Sequence, residues 1–223
     1  MRRYELPIST NYVPDWGYIE AFRELFQNAL DNEIVNPENK MSFSFDSEKG
    51  EVSITNKTSI LEVGTLLLGS TTKADDESTI GKHGEGYKIA FMVLLREGKT
   101  IKVYNYGNKE IWKARLVKSK RYNGNLVPVI SVERVAFWKA IPDNDLTITV
   151  GNVTQDEYDK MVEKNLNLQE DVEYFEVPNF GKILTNEKEK GNIYVKGLFV
   201  CRNEKITYGY DFEPRLIELD RDR

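Results

Sequence analysis

Between positions 16 and 32 the chain reads WGYIEAFRELFQNALDN, and apolar side chains return at Tyr18, Phe22, Leu25, Phe26 and Ala29. That spacing follows the 3.6-residue period and predicts a helix with one buried stripe. MSFSFD and EVSIT then alternate around the turn SEKG, the pattern of a β-hairpin. The apolar segment SILEVGTLLLG reads as a short helix stopping at Gly69. After it comes STTKADDESTIGKHGEG, polar and punctuated by glycine, and loops of that length in a compact domain are usually functional. A helix is expected over about 87–96, with Gly98 as its stop. TIKVYNY, EIWKARLV, LVPVISVERVAF and LTITV are β-branched, aromatic and alternating, so they predict a run of strands. TQDEYDKMVEKNL starts on a threonine cap and reads as a surface helix, and NIYVKGLFVC and KITYGY add strands.

Helices first and mostly antiparallel strands afterwards predict an α+β fold: a two-layer sandwich of one mixed, mostly antiparallel sheet with helices on one face. No internal repeat, low-complexity tract or linker divides the chain, so 1–223 is expected to be one domain. Its core would span about 10–150, with a strand-rich extension over about 151–223. The abrupt charged ending LIELDRDR suggests a piece of something longer.

Composition removes several function classes. The formal charge of −5 argues against non-specific attachment to nucleic acid or anionic membrane. No apolar stretch approaches the ~20 residues of a membrane helix, and MRRYELPIST lacks an apolar signal core. The single cysteine, Cys201, cannot form an internal disulfide and fits a reducing cytoplasm. One cysteine and one histidine, His83, do not make a structural zinc site or a spare Ser-His or Cys-His pair.

GKHGEGYK, residues 81–88, matches neither common phosphate loop. A P-loop needs G-x-x-x-x-G-K followed by Ser or Thr, and a dinucleotide fingerprint needs a third glycine where Ile89 stands. What remains is a glycine-lined helix N-terminus, whose free N–H groups and dipole favour an anion. Bare positions at Gly81, Gly84 and Gly86 would let a phosphate chain approach the backbone, with Lys88 within reach; the alternative is a surface loop with a glycine cap. On the first helix, Glu24, Asn28 and Asp31 fall at i, i+4 and i+7 and share one face. Most such faces are simply solvated. An amide oxygen can nevertheless ligate Mg²⁺ whose other ligands are phosphate and water, and a carboxylate one turn earlier can polarise an attacking water.

Here the sequence resembles a known family. ELFQNALDN is similar to the N box of the GHKL superfamily of gyrase, heat-shock chaperones, histidine kinases and MutL. GSTTKADDESTIGKHGEGYK resembles that family's ATP lid and second glycine box, in a gyrase-like or Morc-like version, and the motifs come in the family's order. The resemblance implies a Bergerat-type fold that binds ATP with Mg²⁺, hydrolyses it slowly and uses it as a conformational switch. It places Glu24 on the water-activating base, Asn28 on the Mg²⁺ ligand and Asp31 on a polar pocket position. The cradle of the triphosphate would be Gly81, Lys82, His83, Gly84, Glu85 and Gly86, with Lys88 neutralising phosphate charge. Thr72 and Lys73 of the lid, and Thr147 near the adenine, complete the implied nucleotide-binding set. ATP-dependent dimerisation is a further implication.

The first glycine box departs from the family's D-x-G-x-G. Asn56 stands in place of the Asp, and Thr58 and Ile60 replace both glycines. An amide oxygen still accepts a bond from a base amino group but without charge assistance, which implies lower affinity and leaves base selectivity open. The alternatives to an ATPase are a module that binds ATP without turnover and, less favoured, a protein kinase of the same superfamily. The basic stretch KARLVKSKRYNG reads mainly as a solvated hairpin face, with nucleic-acid binding as the minor alternative.

Overall fold

The computed structural model describes residues 1–67, 85–135 and 144–216. In chain order the elements are β1 (Arg2–Glu5), α1 (Tyr18–Val35), β2 (Met41–Asp46), β3 (Glu51–Asn56), α2 (Gly86–Arg96), β4 (Thr100–Asn105), β5 (Glu110–Lys118), β6 (Leu126–Arg134) and β7 (Leu146–Gly151). They are followed by α3 (Gln155–Glu163), β8 (Tyr174–Val177), β9 (Gly181–Leu184), β10 (Asn192–Val195), β11 (Leu198–Arg202) and β12 (Gly209–Phe212).

The expected α+β sandwich is present. Seven strands form one sheet in the order β1-β6-β5-β4-β7-β3-β2, every neighbouring pair antiparallel. Side chains alternate between its faces. Val52, Ile54, Ile101, Val103 and Val150 therefore point to one side, where they join Phe22 and Leu25 of α1 and Phe91 of α2 in a single core. α2 is buried without a break from Tyr87 to Leu94, as a helix enclosed on all sides must be. α1 packs alongside it and shows a narrower apolar stripe. α3 begins on Thr154 with the reciprocal Thr154–Glu157 capping box, and Glu157 also takes two bonds from Lys99, at 2.5 and 2.7 Å. Tyr158 of α3 stacks on Phe45 at 4.4 Å between ring centroids and so closes the edge beside β2.

Three stretches differ from the expectation. SILEVGTLLLG does not form an α-helix within the described residues: only a 3-10 turn over Val63–Leu66 appears. The carbonyls of Thr65 and Leu67, which a continuing helix would use internally, instead accept from the ammonium of Lys88. KITYGY contributes only its end to a strand, which begins at Gly209. Four-residue strands β8 and β9 carry too little periodicity to be seen in the sequence, and they meet through a turn with left-handed Asn179 and Gly181. With β10, β11 and β12 they form a second sheet, in the order β11-β10-β12-β9-β8, whose β10–β12 pair is parallel. Phe26 of α1 joins Val195 and Leu198 in the small core that connects the two sheets.

Candidate functional site

The start of α2 lies directly against the polar face of α1. A Cβ placed on Gly86 would collide with Oε2 of Glu24 and come within 3.4 Å of Nδ2 of Asn28. Glycine therefore leaves room for the Glu24 carboxylate where it stands, and the backbone at the opening turn of α2 sits beside that carboxylate and amide. Glu24 is buried, with 8% exposure. Asn28 donates its Nδ2 to the main-chain oxygen of Glu24 at 2.7 Å. Asp31, two turns past Glu24 on the same face, is completely buried. Glu85, at the N-cap of α2, lines a cleft of about 440 Å³ with Pro7, Ile8, Ser9 and Tyr12 of the N-terminal segment.

Asn56 approaches α1 from the sheet. Its Nδ2 donates to the carbonyl oxygens of Ala29 at 2.9 Å and Asn39 at 3.0 Å, and only 5% of the residue is exposed. Both amide hydrogens are thus spent on backbone, so the group it has left to offer is the Oδ1 acceptor. Asn39 donates to Asn32 Oδ1 at 3.2 Å and accepts from Thr58 Oγ1 at 3.3 Å, while Asn32 donates to Ser59 Oγ at 2.8 Å. This amide network was not expected from the sequence; its trace there is the density of asparagines over 28–39. Thr58 adopts φ 47°, the left-handed region that glycine enters without strain and a β-branched residue rarely does. The backbone thus keeps a glycine-like bend where the sequence has threonine.

Two of the expected ligands are engaged elsewhere. Lys88 does not point toward the face that meets Glu24. It is fully buried, and its Nζ donates to Thr65 O at 2.7 Å and Leu67 O at 2.5 Å. Two helical residues rotate by about 200°, so a side chain at 88 leaves α2 opposite Gly86. Burial pushes its ammonium below the usual lysine range, with Glu85 opposing. Thr147 lies on the helix-free face of the sheet. It pairs with Thr55, and the two hydroxyls hydrogen-bond at 2.9 Å, whereas Asn56 is paired with Leu146 on the helix side. The one-residue alternation of a strand decides this, and Leu146, Ile148 and Val150 are the β7 side chains that face the helices. Thr72, Lys73, Gly81, Lys82, His83 and Gly84 lie outside the described residues.

Among the described residues no group of three or more acidic, histidine or cysteine side chains could hold a metal ion. A divalent cation bound near Asn28 would have to draw most of its ligands from phosphate and water, and an amide oxygen is the right kind of hard, neutral donor for one position. No described helix is long and apolar enough to cross a membrane.

No protein-family model matches the sequence. A Mycoplasma pneumoniae protein of uncharacterised function is 24% identical over 220 residues, which cover 96% of this chain and 85% of that protein. Among solved structures, the ATPase and transducer domains of DNA topoisomerase II from Balamuthia mandrillaris align at a TM-score of 0.39 and 13% identity. That alignment covers 81% of this chain, which spans 59% of the length of that structure.

Proposed function

We propose that the chain binds ATP with Mg²⁺ in the crevice between α1 and the start of α2 and hydrolyses it slowly as a conformational switch. The observation that carries this reading is the contact of Gly86 with Glu24 and Asn28. It brings a bare helix N-terminus, a buried carboxylate and an asparagine side-chain amide into one corner, the residue types that metal-bridged phosphate hydrolysis uses. Mg²⁺, when bound, would neutralise charge on the phosphates, with Asn28 as its protein ligand. Glu24 orients and polarises the attacking water, and the backbone of α2 offers N–H groups to the phosphate oxygens. At the other end Asn56 offers one neutral acceptor to the base.

Calorimetric titration with Mg²⁺ and a non-hydrolysable ATP analogue, beside a phosphate-release assay, tests the proposal. Glu24→Gln should keep binding and lose at least about 100-fold in turnover, the scale of a general base. No heat with any purine triphosphate refutes the site. A second reading, binding without turnover, is favoured by the neutral, donor-locked Asn56. It is selected if the wild type binds and releases no phosphate across a wide range of protein concentration.

A further inference from the structure

Where the last turns of α1 meet β8, β9 and β12, a cleft of about 280 Å³ opens. Leu30 and Ile34 of α1 and Phe212 of β12 give it an apolar end. Leu30 leaves α1 about 200° round from Asn28, so the cleft stands apart from the Gly86 corner. Three carboxylates and two ammoniums make up its charged lining: Glu176, Asp211 and Glu213 against Lys182 and Lys196. Lys196 is spent on Glu213, at 2.8 Å. Lys182 lies between Asp211 and Glu176 in the β12–β9–β8 ladder, and its ammonium stands over the Tyr174 ring at 4.5 Å. One carboxylate is left in excess.

Asp211 is the buried member of the three, at 7% exposure, and it forms no ion pair among the described residues. Its Oδ1 accepts from the N–H of Gly197 at 2.7 Å. Its Oδ2 has no hydrogen-bond partner among the described residues, yet it is not sealed from solvent as the idle Nε and Nη2 of Arg23 are. The cleft is what Asp211 opens onto. Burial raises its pKa, against the Gly197 N–H and Lys182, so the protein alone compensates its charge poorly. Asn167, also in the lining, spends both amide hydrogens on Asn165 Oδ1 and Lys196 O, at 3.0 and 2.9 Å, and has only an acceptor left.

A spare carboxylate oxygen, a second acceptor and an apolar end together suit an ammonium carried on an apolar body. A cavity of about 150 Å³ already holds benzene, so this cleft admits a ring with a short aminoalkyl arm. We infer that Asp211 and the apolar end of the cleft bind a small primary ammonium with an apolar body. The site does not depend on the nucleotide reading, which stands or falls separately.

Phenethylamine is the probe, with phenethyl alcohol as its neutral isostere and sodium chloride holding ionic strength constant. The Gly197 amide resonance, whose N–H is bonded to Asp211, should shift and saturate with the amine and stay in place with the alcohol. Asp211→Asn keeps an acceptor for that N–H and should weaken the amine at least about tenfold by calorimetry, the scale of one charge-assisted bond. Ile34→Trp, which fills the apolar end and leaves Asp211 intact, should do the same, so the inference stays testable if either variant fails to fold. Equal responses to amine and alcohol, no response to either, or unchanged amine affinity in whichever variant folds would overturn it. Tighter binding of a capped lysyl tripeptide than of phenethylamine would also overturn it, by making the ligand a protein side chain.

Discussion

Asn56→Asp restores the acidic residue of the resembled motif, and the structure predicts that the restoration is harmful to stability. Both hydrogens of the wild-type amide are donated, to Ala29 O and to Asn39 O, at a position with 5% exposure. A carboxylate there has no donor to give. It removes both bonds, leaves the Ala29 carbonyl with its helical bond alone, and places a negative oxygen against the two carbonyls. Each lost bond costs about 0.5–1.5 kcal/mol, so the pair amounts to roughly 1–3 kcal/mol before any charge repulsion. At a urea slope of about 2 kcal/mol per M, the unfolding midpoint should fall by at least roughly 0.5–1.5 M at pH 7.

The pH dependence has a definite sign. The introduced carboxyl has no stabilising partner for its charge, so its folded pKa is raised above the unfolded value of about 3.9. The variant is therefore least impaired below that value, where a protonated acid can still donate one bond, and its deficit grows as pH rises through the window up to the folded pKa. Asn56→Ala removes the same two bonds without the charge, so the gap between the two variants at pH 7 measures the repulsion. A midpoint for Asn56→Asp equal to wild type at pH 7 refutes the assigned amide orientation, and with it the claim that Asn56 presents only an acceptor.

Three further outcomes follow from named contacts. Gly86→Ala should change urea stability by no more than about 1 kcal/mol, because alanine favours helix and the atom in its way is the movable end of Glu24. Phosphate release should nonetheless fall by about 100-fold, since the carboxylate must leave its place; wild-type turnover in Gly86→Ala would remove Glu24 from its proposed role. Lys99→Met should cost about 2–4 kcal/mol in denaturation, because Lys99 is 8% exposed and bonds to Asn152 O and Glu157. Burial pushes Glu157 up, but its bonds from Lys99 and Thr154 outweigh that and hold it below the ordinary carboxylate range. The stability it adds is present above the unfolded value and lost as pH falls through the folded pKa, and Lys99→Met should flatten that acid limb. Asp211 is raised, by burial first, against the Gly197 N–H and Lys182. Its charge therefore costs stability progressively as pH rises above about 3.9, so Asp211→Asn, which keeps an acceptor for Gly197, should match wild type near pH 3 and exceed it at pH 7 in thermal melts.

Local pattern was enough for β2 to β7 of the large sheet and for its helices, but not for the edge strand β1, which only its pairing with β6 makes a strand. The stripe from Tyr18 to Ala29, the alternation in β2 to β7 and the Thr154 cap each follow from interactions within a few residues, so they can be read along the chain. The same is true of the shared face of Glu24, Asn28 and Asp31, which helical geometry alone requires. Position 147 and position 88 could not be settled that way. The face on which Thr147 emerges depends on pairing with β3, ninety-two residues away, and a shift of one residue would have exchanged it with Leu146. The direction of Lys88 depends on the carbonyls of Thr65 and Leu67, which only tertiary packing brings to α2. Likewise the fit of Gly86 to Glu24 and Asn28 is a contact across more than fifty residues; sequence can name the three residue types, but only packing of α2 on α1 puts them in one corner.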